Sequence, residues 1–459
     1  MLIQMKKDEY KQLKDLKENL IVKPELLAPA GDLEKLEFAL AYGADAVYAG
    51  GSAYGLRAYA GNFSLEQMRE AVDLVHEKER RIYVTVNIFA HEQDFTELPA
   101  YLSDLEQLGV DAIIVADPGV IAVARQVVPG MPLHLSTQAN STNSFSINYW
   151  HGQGLERIVL ARELTLAELQ LIRARVSGQL EMFIHGAMCM SYSGRCLLSN
   201  YLTGRDANRG ECTQPCRWGY SLVEEKRPGQ TFPLEEDQRG TYIFNSHDLC
   251  LLPYLPLLKQ LQIESWKIEG RMKSVHYVAS TVKVYRQAID ALWDMGEDVY
   301  RAQLSEWLTE MDKVSHRDYS PGFLFGKPGA HAHNLEYSHY VREYDFVGVS
   351  LAGEKELKTG IITETEQEDK QDRKSGQFSG QTALPTVLVE QRNNFKRGDI
   401  LEVLTPGEKP WTFKAEEMWN LQGELLEVAR HPQEIIRLKL ARSLPAYSIL
   451  RRARNLQPE

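Results

Sequence analysis

The sequence predicts an α/β protein: a TIM-type (β/α)8 barrel followed by a small antiparallel β-barrel. Three observations predict it. Eight short β-branched-rich runs are each followed by a helical pattern. Beyond about residue 335 the pattern changes to short alternating runs. The one long gap in the first rhythm opens on a stretch that holds four of the chain's five cysteines. Parallel strands joined by crossover helices explain the first rhythm, and eight is the number that closes a barrel.

Residues 1–24 have mixed charge throughout and read as a helical appendage. ELLAPAG (25–31) is the first strand run, and Asp32 stands where a helix cap is needed before LEKLEFALAYG. DAVYAGG (45–51), RIYVTVNIF (81–89), VDAIIVAD (110–117), PLHLSTQAN (132–140), LERIVLAR (155–162) and LEMFIHG (180–186) follow, each ahead of an amphipathic stretch. The eighth run, ESWKIEGR (264–271), precedes SVHYVASTVKVYRQAIDALWDMG. Strand starts lie roughly 20–37 residues apart until the seventh, and the next gap is about 84 residues. A large insertion, about 186–263, therefore follows strand seven.

In such a barrel the loops after the strands build the active face, so this insertion overhangs it. The polar residues that end the strands converge on the same face: Asn87, Asp117, Gln138, Asn140, Arg162, His185, Lys267, Glu269 and Arg271. Of these, His185, Lys267, Glu269, Arg271, Asn87 and Gln138 are the catalytic candidates. The barrel domain is expected over 25–335 and the β-barrel domain over 336–459. The polar segment 366–381 reads as a loop.

Cys189, Cys196, Cys212 and Cys216 are spaced C-x6-C-x15-C-x3-C among Gly, Ser, Asn and Arg. Thiolates gathered to hold a metal or an iron–sulfur cluster bunch in this way. The spacing is neither a zinc ribbon nor a ferredoxin run, so zinc has no motif behind it. Cys250 opens an apolar helical segment and reads as a small core residue. A nucleophilic pair of Cys189 with His185 rests on proximity alone. No H-E-x-x-H, G-x-S-x-G or phosphate-cradling loop occurs.

Composition narrows the classes. An apolar content of 43% and a charged content of 25% are those of a soluble globular protein. No run approaches about 18 apolar residues, so no membrane span or membrane partner is expected. The charged start lacks a signal-peptide core, which predicts a cytoplasmic protein with reduced thiols. A net charge of −11 argues against coating nucleic acid by bulk attraction. Arg437–Arg454 is nevertheless acid-free and reads either as a solvated strand face and tail or as a local basic surface.

The stretches ELLAPAGDLEKLEFALAYGADAVYAGG, HGAMCMSYSGRCLLSNYLTGRDANRGECTQPCRW, and FNSHDL with WKIEGRMKS resemble the U-32 peptidase family of collagenase-like proteases. The resemblance runs from about residue 25 to the C-terminus. It is strongest to the subgroup of bacterial tRNA hydroxylation proteins. It implies a 4Fe–4S cluster on Cys189, Cys196, Cys212 and Cys216, with Cys250 as an alternative fourth ligand. It also implies formation of 5-hydroxyuridine at the wobble position of tRNA, with prephenate as co-substrate and hydroxyl donor. Arg205 and Arg209 are candidate contacts to RNA phosphate or to the dicarboxylate, with Asn140 a further substrate-binding candidate. The competing reading has both arginines bracing the insertion through Asp206 and Glu211. Trp218 either stacks on a base or belongs to the core. The C-terminal barrel resembles those of translation factors, a tRNA-docking module. A second family member or a further copy of this chain is a possible partner. Proteolysis is the alternative activity, without assignable catalytic residues, and a scaffold role is the third.

Overall fold

The computed structural model describes residues 22–55, 62–189, 191–215, 247–326, 341–351 and 386–454, with four two-residue strand segments between 222 and 241. The expected N-terminal helix, Cys216, Trp218 and the segment 366–381 lie outside the described residues. The chain divides into two compact units, Met1–Met311 with His316–Val341, and Asp312–Ser315 with Arg342–Glu459.

The first unit is a closed barrel of eight parallel strands: β1 (Glu25–Pro29), β2 (Ala46–Gly50), β3 (Arg81–Val86), β4 (Ala112–Val115), β5 (Leu133–Leu135), β6 (Arg157–Val159), β7 (Gln179–Ala187) and β8 (Ser265–Ile268). Neighbours pair in that order, and β8 closes the ring by pairing with both β7 and β1. All eight predicted runs are strands. Each is nearly continuously apolar because helices cover its outer side. The helices begin where the sequence supplies caps. Asp32 accepts a hydrogen bond from the Lys35 N–H ahead of α1 (Leu33–Ala41), and Ser64 forms a capping box with Gln67 ahead of α2 (Leu65–Glu77). Asp117 accepts from the Gly119 and Val120 N–H groups, so this strand-end carboxylate is engaged in capping.

The barrel axis is more polar than its strand runs suggest. Glu25 accepts from Tyr83 Oη (2.7 Å), Arg157 Nη1 (2.6 Å) and Ser265 Oγ (3.0 Å). Arg157 also approaches Glu181 at 3.5 Å, and Lys267 Nζ donates to Glu181 Oε1 at 2.8 Å. These residues come from β1, β3, β6, β7 and β8, so their meeting places the network inside the ring. A buried charge tolerates such a place only when paired and hydrogen-bonded.

Strand β7 is longer than the others. Its register against β8 slips between Lys267 and Ile268, whose partners are Phe183 and His185, so Ile184 is bulged out of the ladder. Beyond the bulge, residues 185–187 pair antiparallel with the short strand Asp248–Cys250. The insertion thus begins as an extension of β7 and carries a short helix, α3 (Leu198–Thr203).

The second unit is a curled, seven-stranded antiparallel sheet. Its strands are β9 (Tyr344–Ser350), β10 (Thr386–Gln391), β11 (Ile400–Leu404), β12 (Trp411–Lys414), β13 (Met418–Trp419), β14 (Ile435–Lys439) and β15 (Ile449–Ala453), in the order β12-β11-β15-β9-β10-β14-β13. Val347, Val389, Leu401, Val403, Ile436, Leu438 and Leu450 fill its core. Strand β15 lies inside the sheet between β11 and β9, not in a tail. Its arginines are neutralised by acids from elsewhere. Arg451 is fully buried against Glu402, Arg452 pairs with Asp399 at 2.6 Å, and Arg454 donates to Asp345 at 2.7 Å. Lys439 pairs with Glu417 at 2.7 Å. Much of the acid-free C-terminal run is therefore internal pairing rather than a basic surface.

Candidate active site

A cavity of about 80 Å³ opens where the barrel strands end. Tyr48, Thr85, Asn87, Ser136, Gln138, Phe183, Lys267, Glu269 and Arg271 line it, and Ser193 of the cysteine segment reaches it. Five of the six catalytic candidates are thus brought together.

Each is positioned by its element. Lys267 lies one residue before the end of β8 and donates to Glu181, with its Nζ 4.3 Å from the Tyr48 ring centroid. Arg271 is buried. Its guanidinium donates to Asn62 Oδ1 (2.8 Å) and Thr85 Oγ1 (3.3 Å). Gly50 makes room for it, since a Cβ there would stand 2.1 Å from the Arg271 guanidinium. Asn87 Nδ2 donates to Ser136 Oγ at 3.4 Å, and Ser136 Oγ donates to Gln138 Oε1 at 3.3 Å. That leaves the buried Asn87 Oδ1 and Gln138 Nε2 without a hydrogen-bond partner among the described residues. Two cations, one carboxylate and unsatisfied amide groups of both polarities converge on one small space. Such a set suits a small polar ligand bearing negative charge.

Sequence reasoning missed Tyr48, Thr85 and Ser136. Thr85 lies two residues before Asn87, on the same face of a strand, so the signal was present. Glu181 was hidden inside an apolar run.

His185 does not join the cavity. Past the bulge at Ile184 it packs behind the barrel wall among the rings of Tyr277, Tyr285 and Tyr319, with centroids 5.4–5.9 Å away. Its Nδ1 faces Tyr285 Oη at 3.4 Å, and its Nε2 has no hydrogen-bond partner among the described residues. It does not pair with Cys189, which is exposed. Burial pushes its pKa down to about 3. The unfolded chain therefore binds a proton here that the folded chain refuses. Stability is complete above the ordinary histidine value of 6.5 and falls as pH drops from there towards 3. The slope from this one group is up to about 1.4 kcal/mol per pH unit. Burial also lowers the pKa of His134, which adds to the effect in the same direction. Denaturant titrations at a series of pH values should show this loss, and His185→Phe should flatten it.

The cysteine segment is tied over the cavity. Asn140, in a left-handed conformation, donates from Nδ2 to Gln138 O (2.8 Å) and Ser193 O (3.3 Å). Asn140 thus clamps the segment instead of lining the cavity. Gly194 packs against Phe89 and Gln138. Arg209 is braced, although its carboxylate partner is Asp94. Its Nη atoms bond that carboxylate at 2.7 and 3.0 Å, and Nη1 also donates to Phe89 O at 3.1 Å. The bond from Arg209 holds the Asp94 carboxyl below its ordinary range. Arg205 is exposed.

Cys189, Cys196 and Cys212 carry free thiols on this segment, and the Gln214 N–H donates to Cys212 Sγ at 3.4 Å. Among the described residues no three His, Cys, Asp or Glu side chains stand close enough to hold a metal ion. The donor chemistry and the place fit a thiolate-held cluster, while the present spacing leaves the ligand set open. Cys250 is buried beneath, 3.8 Å from Tyr285 Oη, and its backbone pairs with His185.

Residues 31–334 match peptidase family U32, and residues 375–451 match the peptidase family U32 C-terminal domain. The chain is 39% identical to tRNA hydroxylation protein P1 of Bacillus subtilis, over 94% of this chain and 95% of that one. It is 36% identical to tRNA hydroxylation protein P of Escherichia coli, over 89% and 91%. It is 35% identical to the 23S rRNA 5-hydroxycytidine C2501 synthase of Escherichia coli, over 66% of this chain and 46% of that protein.

Proposed function

The chain belongs to peptidase family U32, and on that premise we propose that it is a tRNA hydroxylase that converts a wobble uridine to 5-hydroxyuridine. The observation that carries this reading is the cavity itself, polar and cationic, at the strand ends and roofed by the cysteine segment. Relatives that match nearly the whole chain are named for tRNA hydroxylation, and a more distant one for a hydroxylated cytidine, which supports oxygen insertion into a pyrimidine.

Prephenate is the proposed hydroxyl donor. Its two carboxylates match Lys267 and Arg271, and its hydroxyl matches the free amide groups of Asn87 and Gln138. Lys267 cannot swing away from this position while Glu181 holds it, and Arg271 is fixed by Asn62 and Thr85. The ligand therefore meets a preformed charge pattern, which reduces the cost of ordering the site. Ser193 lines the cavity and its carbonyl accepts from Asn140 Nδ2, which ties the cysteine segment to the cavity's edge.

Cys189, Cys196, Cys212 and Cys216 are the proposed ligands of a 4Fe–4S cluster in the roof, with Cys250 the alternative fourth. Such a cluster supplies one-electron chemistry when bound. Metal binding draws an open ligand set together, because its binding free energy becomes ordering free energy of the segment.

Proteolysis finds less support, since His185 engages Tyr285 rather than a nucleophile. The reading is tested by incubating anaerobically purified protein with unmodified tRNA and prephenate, then digesting the tRNA to nucleosides. Mass spectrometry should show a uridine that has gained one oxygen atom, and Lys267→Met should abolish it. Cleavage of a peptide substrate with no change to tRNA would overturn it.

A further inference from the structure

The cysteine segment exposes an unusual set of side chains. Tyr201 is 86% exposed, Leu197 69% and Tyr192 46%. Isolated apolar residues on a surface need no explanation, but several in one short segment mark a contact surface. Arg195 and Arg205 are exposed among them. In a chain of net charge −11, no acidic residue occurs between Glu181 and Asp206. The same segment reaches the cavity through Ser193, one residue from Tyr192, and the Tyr192–Arg195 turn is closed by the Arg195 N–H donating to Tyr192 O at 3.1 Å.

Exposed aromatic rings interleaved with arginines, in a stretch of sequence that holds no acid from Met182 to Arg205, match unpaired nucleotides. Every base offers a face to stack on, and every linkage between bases carries a phosphate. A duplex hides its base faces and would leave the tyrosines unused. A protein partner would have no need of a locally acid-free strip.

We infer that this face, with Tyr192, Tyr201, Arg195 and Arg205, docks the unpaired nucleotides of an RNA loop. Bases next to the target stack on the tyrosines and the target itself enters the cavity beside Ser193. The inference rests on the tRNA hydroxylase reading and names how that substrate is held.

The test is fluorescence anisotropy with the full chain and two labelled RNAs, a hairpin with an unpaired loop and a blunt duplex. Tyr201→Ala and Tyr192→Ala should each weaken hairpin binding about tenfold, with Tyr→Phe within about twofold of wild type, as base stacking requires. Duplex binding should not change. Circular dichroism and iron content identify any variant that misfolds, and the phenylalanine variants then carry the comparison. Three results would overturn the inference: alanine variants that bind the hairpin like wild type, equal losses on hairpin and duplex, or a changed sedimentation mass in place of changed RNA binding. If hairpin binding behaves as expected but tRNA is never hydroxylated, the surface stands and the proposed activity fails. If tRNA is hydroxylated and the tyrosines prove silent, the reverse holds.

Discussion

Glu181→Leu is expected to destabilise the barrel by about 3–5 kcal/mol, the cost of leaving a buried charge without its partner. The Glu181 side chain is fully buried and that of Lys267 only 5% exposed, with 2.8 Å between them. Removing the carboxylate strands the ammonium in the barrel, against the rings of Tyr48 and Phe183. Arg157 loses less, because it keeps Glu25. The double variant Glu181→Leu/Lys267→Met should recover much of the lost stability, since neither charge remains. It should not recover hydroxylation, because one of the cavity's two cations, Lys267, is gone. Denaturant unfolding and the tRNA assay on the wild type, Glu181→Leu, Lys267→Met and the double variant separate the two roles. A Glu181→Leu protein as stable as wild type would contradict a buried, mutually dependent pair.

The second large effect concerns iron. Anaerobically purified protein should be brown and hold roughly four irons per chain, the content of one cubane cluster. Cys196→Ala should lose both the iron and the tRNA product. Cys250 is buried against Tyr285, whereas Cys189 and Cys212 are exposed, so Cys250→Ala should keep iron and Cys216→Ala should lose it. Because the three described thiols are not gathered, iron loading should also protect the segment 189–215 from proteolysis. A colourless protein that holds zinc, or iron retained by Cys196→Ala, would remove the cluster from the account.

The barrel was legible because its strands are short, β-branched-rich, nearly continuous apolar runs and its helices carry caps. The same regularity exposed Asn87, Gln138, Lys267, Glu269 and Arg271, polar residues at strand ends where polarity has no packing reason. His185 followed the same rule on paper. One bulged residue, Ile184, turned it behind the wall, and nothing in LEMFIHG announces a bulge. Glu25, Arg157 and Glu181 were hidden for another reason. Each looks like an isolated strand charge until the ring closes and sets them against one another. The partner of Arg209 was illegible because Asp94 lies 115 residues away, while Asp206 and Glu211 stood nearby. Strand β15 was misread as a tail because its arginines are balanced by Glu402, Asp399 and Asp345 from other strands.

The hydroxylation claim is tested most directly by the nucleosides of bulk tRNA from cells lacking this protein and any other family member. The account predicts that 5-hydroxyuridine and its derivatives disappear. They should return with the wild-type chain and stay absent with Lys267→Met or Cys196→Ala. Unchanged 5-hydroxyuridine in the deletion strain, or full recovery with both variants, would contradict it.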